Sequence, residues 1–193
     1  MKPKILLIGG GGHCKSLIDV IELEGSFEIA GIIDRKENVG QKLLGYEIIG
    51  CDEDLKNLFQ QFKFAVVSVG QIKSPDLRIK LFSHLNTIGF ETPIIISPRA
   101  YVSKHALIDQ GTVILHDALI NAEVRIGKNC IINSKALIEH DCIIGDHCHI
   151  STGVILNGGT ILSEGTFFGS NAVSKEYSTF SERSFIKAGS VAK

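Results

Sequence analysis

The stretch Val113-Ile114-Leu115-His116-Asp117-Ala118-Leu119-Ile120-Asn121-Ala122-Glu123-Val124-Arg125-Ile126-Gly127-Lys128-Asn129-Cys130-Ile131-Ile132 decides the fold. Every sixth residue in it, from Ile114 through Ile120 and Ile126 to Ile132, is isoleucine. Counted outward in both directions, the same step picks Val102, Ile108, Ile114, Ile120, Ile126, Ile132, Ile138, Ile144, Ile150, Leu156, Leu162 and Phe168, all apolar. Hydrophobic residues are 44% of the chain, so chance would rarely produce that run. Two residues before each pick the side chain is small or slim: Ala100, Ala106, Thr112, Ala118, Val124, Cys130, Ala136, Cys142, Cys148, Val154, Thr160, Thr166. Turn formers often follow the pick, as at Asn121, Gly127, Asn133, Gly145, Ser151, Asn157 and Gly169.

A hexad of this kind is the signature of a parallel β-helix, which we take to be left-handed. Each repeat is one short strand and a turn. The aliphatic side chain points into a prism and stacks on its equivalents in neighbouring coils, and the small residue fits the crowded corner. The turn residue after the pick is expected to take the unusual backbone angles. A β-sandwich would need alternation of period two and irregular spacing. The count lapses at Ser174 and resumes at Phe180 and Ile186, which predicts a loop bulging from the prism near Ser174–Tyr177.

Upstream the pattern changes. Lys4–Ile8, Phe27–Ile33, Phe64–Val69 and Pro93–Ile96 read as strands. Lys15–Glu24, Asp52–Phe62 and Pro75–Thr87 read as helices, with Leu17, Ile18 and Ile21 or Leu77, Leu81 and Leu85 on apolar faces. Strand–helix alternation implies a small parallel Rossmann-like sheet. The expected organisation is an α/β domain over 1–98 and a left-handed β-helix over 99–193.

Composition narrows the function. A formal net charge of −1 leaves no large basic patch for nucleic acid or a membrane surface. No apolar run reaches the ~18 residues that span a bilayer. The short run after Met1 stops at Gly9, so it reads as a buried strand and not as a secretory leader. Five cysteines without a CxxC pair read as reduced packing residues, neither a disulfide frame nor a metal site. A cytoplasmic protein is expected.

Several segments together carry a resemblance. They are Gly9-Gly10-Gly11-Gly12-His13, Ile32-Ile33-Asp34, Val67-Ser68-Val69-Gly70-Gln71, Leu137-Ile138-Glu139-His140-Asp141-Cys142-Ile143-Ile144-Gly145 and His149-Ile150-Ser151. The chain resembles the hexapeptide-repeat sugar acetyltransferases of the sialic-acid O-acetyltransferase and nucleotide-4-aminosugar N-acetyltransferase type. The resemblance covers nearly the whole chain. It implies acetyl-CoA as co-substrate, no metal, and a homotrimer with the CoA sites between adjacent prisms. It also implies a nucleotide-sugar or sialic-acid-like acceptor.

His140 falls two residues after the stacked Ile138, on a turn and facing outward. Acetyl transfer from a thioester needs a base for the attacking amine or hydroxyl, and imidazole is suited to that near neutral pH. Asp141 is placed to orient the ring and stabilise its cation. The resemblance assigns the matching pair those roles. His149 stands where this chain otherwise places apolar residues, and reads as a ligand contact or as a histidine on a prism face. Gly158, three hexads beyond His140, reads as an N–H donor to the thioester carbonyl or as a turn glycine. Asn133 matches a family active-site asparagine or is a turn residue. Ser151, Gly169 and Ala188 are cofactor contacts by resemblance.

In the first domain the resemblance implies Gly10, Gly11, Gly12, His13, Asp34 and Gly70 as nucleotide-sugar contacts, and the alternative is a strand–helix turn with no ligand. Cys14 stands where G-x-G-x-x-G requires its third glycine, so the dinucleotide fingerprint fails. A glycine loop opening a helix still suits phosphate. The Gly-x-Pro-Ala segment of many relatives does not appear between Val191 and Lys193, so either part of the CoA contacts differs here or the sequence is a piece of a longer chain.

The leading expectation is N-acetylation of a nucleotide-linked 4-amino-deoxysugar in surface-glycan biosynthesis, by direct attack in a ternary complex. The alternatives are O-acetylation of sialic acid or a related nonulosonic acid, a non-catalytic scaffold or sensor, and metal-water chemistry drawing on His140, His147 and His149.

Overall fold

The computed structural model describes residues 1–193 and divides into two compact units. The first comprises Met1–Gly70 with Leu77–Pro93, the second Gln71–Asp76 with Ile94–Lys193.

In the first unit the elements are Lys4–Ile8 (β1), Gly12–Glu24 (α1), Glu28–Ile33 (β2), Lys42–Leu43 (β3), Tyr46–Gly50 (β4), Leu55–Leu58 (α2), Phe64–Val67 (β5) and most of Asp76–Ile88 (α3). The sheet order is β3-β4-β2-β1-β5, parallel apart from the edge strand β3. Ile5, Leu6, Leu7 and Ile8 are all buried, as a central parallel strand covered on both faces requires. Helix α1 buries Cys14, Leu17, Ile18 and Ile21 at helical spacing and stops at Gly25, whose φ of 75° only glycine adopts freely. The guanidinium of Arg78 on α3 donates to the carbonyls of Val67 (3.1 Å) and Val69 (2.6 Å), satisfying backbone acceptors at the end of β5.

Four sequence expectations change here. Helix α1 begins at Gly12, three residues early, because Gly11 already has extended angles and no side chain competes at the cap. The helix expected over Asp52–Phe62 is a 3-10 turn and a single α-turn, Leu55–Leu58. The β3–β4 hairpin was not anticipated; its two-residue turn uses Leu44 and Gly45, both at positive φ. Ile95–Ile96 (β6) is not a strand of this sheet, since it pairs in parallel with Val113–Ile114 as the first rung of the second unit.

The second unit is the left-handed parallel β-helix. Two-residue strands recur every six residues and pair with the strand 18 residues on, so three hexads make one coil and the strands form three flat faces. One face runs from Ile95–Ile96 through Val113–Ile114, Ile131–Ile132, His149–Ile150 and Phe167–Phe168 to Phe185–Ile186. Ile114, Ile120, Ile132, Ile138, Ile150, Leu156 and Phe168 are fully buried, and Thr112, Cys130, Cys142, Cys148, Val154 and Thr160 fill the narrow position beside them.

Two further expectations are corrected. The residue after the pick does not carry the unusual angles. Every sixth residue from Gly111 to Gly189, three after the pick, takes the left-handed conformation, including Asp117, Glu123, Asn129, Lys135, Asp141, His147 and Asn171. Gly145 and Gly169 follow the pick for another reason: a Cβ there would lie 2.8 and 2.5 Å from backbone nitrogen of the next coil. Nor does the prism bulge at Ser174. Val173–Ser174 is a rung strand pairing with Val191–Ala192, and Ser174 is buried. No helix in the chain is long and apolar enough to cross a membrane.

Candidate functional site

The rung Leu137–Ile138 ends at a corner that places His140 and Asp141 on the rim of the prism. The corner is pinned on both sides: Asp141 N–H donates to the Ala122 carbonyl (3.2 Å), and the His140 carbonyl accepts from Gly159 N–H (3.0 Å). Asp141 has φ 61°, a conformation aspartate tolerates better than most residues. There its Oδ2 lies 2.7 Å from His140 Nδ1. An ionised carboxylate only accepts, so Nδ1 carries the proton and a neutral ring keeps its lone pair on Nε2. Both side chains are more than half exposed, so the pair is open to a reactant.

Gly158 lies directly against that ring. A Cβ on it would stand 2.8 Å from His140 Cε1 and 3.0 Å from Nε2. The glycine is therefore the floor on which the imidazole rests. Its carbonyl accepts from Tyr177 N–H. Cys142, the cysteine nearest in sequence, points inward; burial pushes its thiol up to about 11, which leaves it protonated and unsuited to carrying an acyl group.

The other residues singled out in the prism have partners of their own. Asn133 Oδ1 caps Ser134 N–H (2.8 Å) while its Nδ2 lies 3.3 Å from His149 Nε2. His149 is buried, its Nδ1 2.5 Å from the Gln71 carbonyl and its ring edge-on to Phe167. It is neither the exposed face histidine nor an open one. The Ser151 hydroxyl bonds that of Ser170 (2.9 Å). Gly169 is required by coil packing, and Ala188 is exposed at a turn. Gln71 was missed as a partner of His149, because the pairing joins residues 78 apart that no local pattern relates.

In the first unit a cleft of about 540 Å³ opens at the C-terminal ends of β1, β2 and β5, lined by Gly9, Gly10, Gly11, Asp34, Asn38 and Gly70 among others. The order β2-β1-β5 reverses direction there, the switch point where open α/β sheets bind ligands. Asp34 is held by Gly10 N–H (3.2 Å), its neighbour Arg35 N–H (2.8 Å) and Asn38 Nδ2 (3.2 Å). Gly11 and Gly12 face open space, and α1 has neither a side-chain cap nor an acidic residue in its first turn, so its N-terminal N–H groups are available to an anion. His13 sits beside Gly70, its Cβ 3.5 Å from where a Gly70 Cβ would stand. Asn38, on the 3-10 turn Lys36–Asn38, was the contact to Asp34 that the sequence reading overlooked. No group of three or more metal-ligating side chains converges anywhere in the chain.

A rimmed hexapeptide prism following an α/β unit with a switch-point cleft defines a class, the hexapeptide-repeat transferases. The family of PglD N-terminal domains matches residues 4–85, and the bacterial transferase hexapeptide family (six repeats) matches residues 123–158. The chain belongs to the hexapeptide-repeat sugar acetyltransferases with this N-terminal domain. Comparison with curated proteins finds no match. Among solved structures, the acetyltransferase domain of PglB from Neisseria gonorrhoeae FA1090 in complex with acetyl coenzyme A is 28% identical, with 98% of this chain and 90% of that chain covered and a TM-score of 0.88. A second structure of the PglB acetyltransferase domain from the same organism superposes with a TM-score of 0.90 over 100% of this chain and 92% of that chain, again at 28% identity. WeeI from Acinetobacter baumannii AYE shares the fold at 18% identity, with coverages of 100% and 97% and a TM-score of 0.78.

Proposed function

We propose that the protein transfers the acetyl group of acetyl-CoA to the 4-amine of a nucleotide-linked deoxyaminosugar for surface-glycan biosynthesis. The observation that carries this reading is the His140–Asp141 pair, hydrogen-bonded at 2.7 Å, exposed on the rim and seated on a glycine. The 28% identical PglB domain, described as an acetyltransferase with acetyl coenzyme A, supports the donor. The glycine loop and uncapped start of α1 support a phosphate-bearing acceptor.

In this reading His140 Nε2 takes a proton from the amine as its nitrogen attacks the thioester carbonyl carbon. The C–N bond forms, the C–S bond breaks, and the proton on Nε2 goes to the leaving CoA sulfur. Asp141 holds the ring in the Nδ1–H form and stabilises the transient cation. The Gly158 N–H faces the developing oxyanion. A homotrimer and a CoA site between adjacent prisms belong to the same reading. They are supported by exposed apolar side chains on two prism faces, Leu107, Ile143 and Ile161 on one and Tyr101, Leu119 and Val191 on another.

The test is release of the CoA thiol, followed against a panel of nucleotide-4-aminosugars and free nonulosonic acids. Turnover with an aminosugar, lowered by roughly 10²–10⁴-fold in kcat in His140→Ala without loss of folding, is expected. Turnover only with hydroxyl acceptors would move the reading to O-acetylation. Absence of any thiol release would leave a non-catalytic scaffold.

A further inference from the structure

The rung lapse at Ser174 is not filled by a loop, and its chemistry reaches the corner beneath His140. Along the prism, the residue after each inward pick donates its N–H to the carbonyl of the pick 17 residues on. Glu139 to Leu156, Gly145 to Leu162, Ser151 to Phe168 and Ser163 to Phe180 are instances, all 2.8–3.0 Å. The series is broken once, at Asn157. Its N–H goes to the Ser174 hydroxyl (2.9 Å), and the Ser174 carbonyl is taken by the Asn157 side-chain Nδ2 (2.7 Å). The Leu156–Ser174 register is correspondingly lost from the strand pairing, which retains only Ile155 with Val173. Thr160 completes the arrangement, its Oγ1 2.7 Å from Ser174 Oγ and 2.6 Å from the Asn157 carbonyl.

Asparagines at the same hexad position behave differently elsewhere. Asn121 Oδ1 accepts the N–H of Ala122 (2.9 Å), and Asn133 Oδ1 accepts the N–H of Ser134 (2.8 Å). Each caps the donor that follows it. The residue following Asn157 is Gly158, the one lying against His140. Asn121 and Asn133 cap while their Nδ2 groups face side chains of the next coil, Glu139 Oε2 (2.9 Å) and His149 Nε2 (3.3 Å). Asn157 Nδ2 is instead drawn onto the main-chain carbonyl of Ser174, and its Oδ1 makes no bond to the Gly158 N–H.

We propose that Ser174 and Asn157 are a positioning pair whose purpose is to keep the Gly158 N–H uncapped and available to a ligand beside His140. An aliphatic residue at 174, like Leu156 and Ala192 on the same face, would restore the main-chain bond from Asn157. It would also release the Asn157 amide to cap Gly158. The effect on rate rests on the acetyl-transfer reading; the state of the Gly158 amide does not.

The experiment measures both. Backbone amide exchange of Gly158 is followed by NMR in the wild-type protein and in Ser174→Leu, Ser174→Ala and Ser174→Leu/Asn157→Ala. Ser174→Leu is expected to slow Gly158 exchange by about tenfold or more, a capped amide being protected against local opening. Its kcat should fall roughly 10- to 100-fold with an unchanged KM for the sugar nucleotide, below the ~10²–10³ lost when an oxyanion donor is removed outright. Ser174→Ala, which cannot overpack the prism, should change in the same direction. The double variant, lacking both the pull and the cap, should regain both readouts, which simple destabilisation would not do. Unchanged Gly158 exchange in Ser174→Leu and Ser174→Ala, or a double variant no better than Ser174→Leu, would overturn the pairing. Failure of wild-type acetyl transfer alongside the expected exchange pattern would overturn the functional reading and leave the pair standing.

Discussion

Replacing Gly158 by alanine adds one methyl group at the point where the structure leaves least room. The added carbon would meet His140 Cε1 at 2.8 Å and Nε2 at 3.0 Å. Relaxed carbon contacts lie at about 3.5–4.0 Å, so the ring must move by roughly 0.7 Å or more. Gly158 does not have a positive φ, so alanine meets no backbone strain, and the obstructing atoms belong to an exposed side chain. The fold should therefore persist while the ring slides off its 2.7 Å bond to Asp141. A misplacement of about 1 Å at a reacting group costs on the order of 10²-fold in rate. We expect kcat for thiol release to drop about 10²-fold in Gly158→Ala, with a melting temperature within about 2 °C of wild type. Gly159→Ala is the contrast: φ there is +70° and the Cβ would lie 2.3 Å from the Tyr177 ring, so stability should suffer first. Gly158→Ala retaining kcat within about threefold would refute the idea that this glycine seats the base.

Further outcomes follow from the same geometry. Asp141→Asn keeps a residue that tolerates φ 61° and an oxygen for His140 Nδ1, but removes the charge. kcat should fall about 10- to 100-fold in steady-state assays, less than the ~10⁴ of a buried triad carboxylate because solvent screens an exposed pair. Burial pushes the Cys14 and Cys142 thiols from 9.0 to about 11, so native protein at pH 8 should react far more slowly with a thiol reagent than unfolded protein does. The folded state holds these protons more tightly than the unfolded chain. Their contribution is thus complete below pH 9 and is lost as pH rises through about 11, which a denaturation series over pH 8–11 would register as a falling midpoint. Ile132→Ala, at a fully buried rung, should cost about 2–5 kcal/mol in denaturant unfolding without displacing the His140 corner.

The prism was legible because its rule is repetitive: one inward position in six, apolar without a break from Val102 to Phe168, reports a coil on which each residue sees only its neighbours above and below. From that register alone His140 falls on a corner. Ser174 escaped the same rule because a hydroxyl can occupy a rung if it is hydrogen-bonded, and its partners Asn157 and Thr160 lie 17 and 14 residues away. The left-handed residue three after each pick was hidden by its variety. Asp117, Glu123, Lys135, Tyr177 and Arg183 all hold positive φ there, since coil stacking overrides their intrinsic preference. His149 looked open because a polar ring on a prism face usually meets water, whereas the Gln71 carbonyl covers it. In the first unit, strands buried on both faces were visible as apolar runs. The β3–β4 hairpin was not, because its strands are short and half exposed. Ile95–Ile96 carried the same apolar signature as a sheet strand, and only its pairing with Val113–Ile114 assigns it to the prism.

A crystal structure of the protein with acetyl-CoA tests the central claim most directly. The thioester carbonyl oxygen should lie within about 3 Å of the Gly158 N–H, with the carbonyl carbon facing the Nε2 side of His140. Acetyl-CoA bound with its thioester remote from that corner, or His140 turned away from Asp141 in the complex, would contradict that claim.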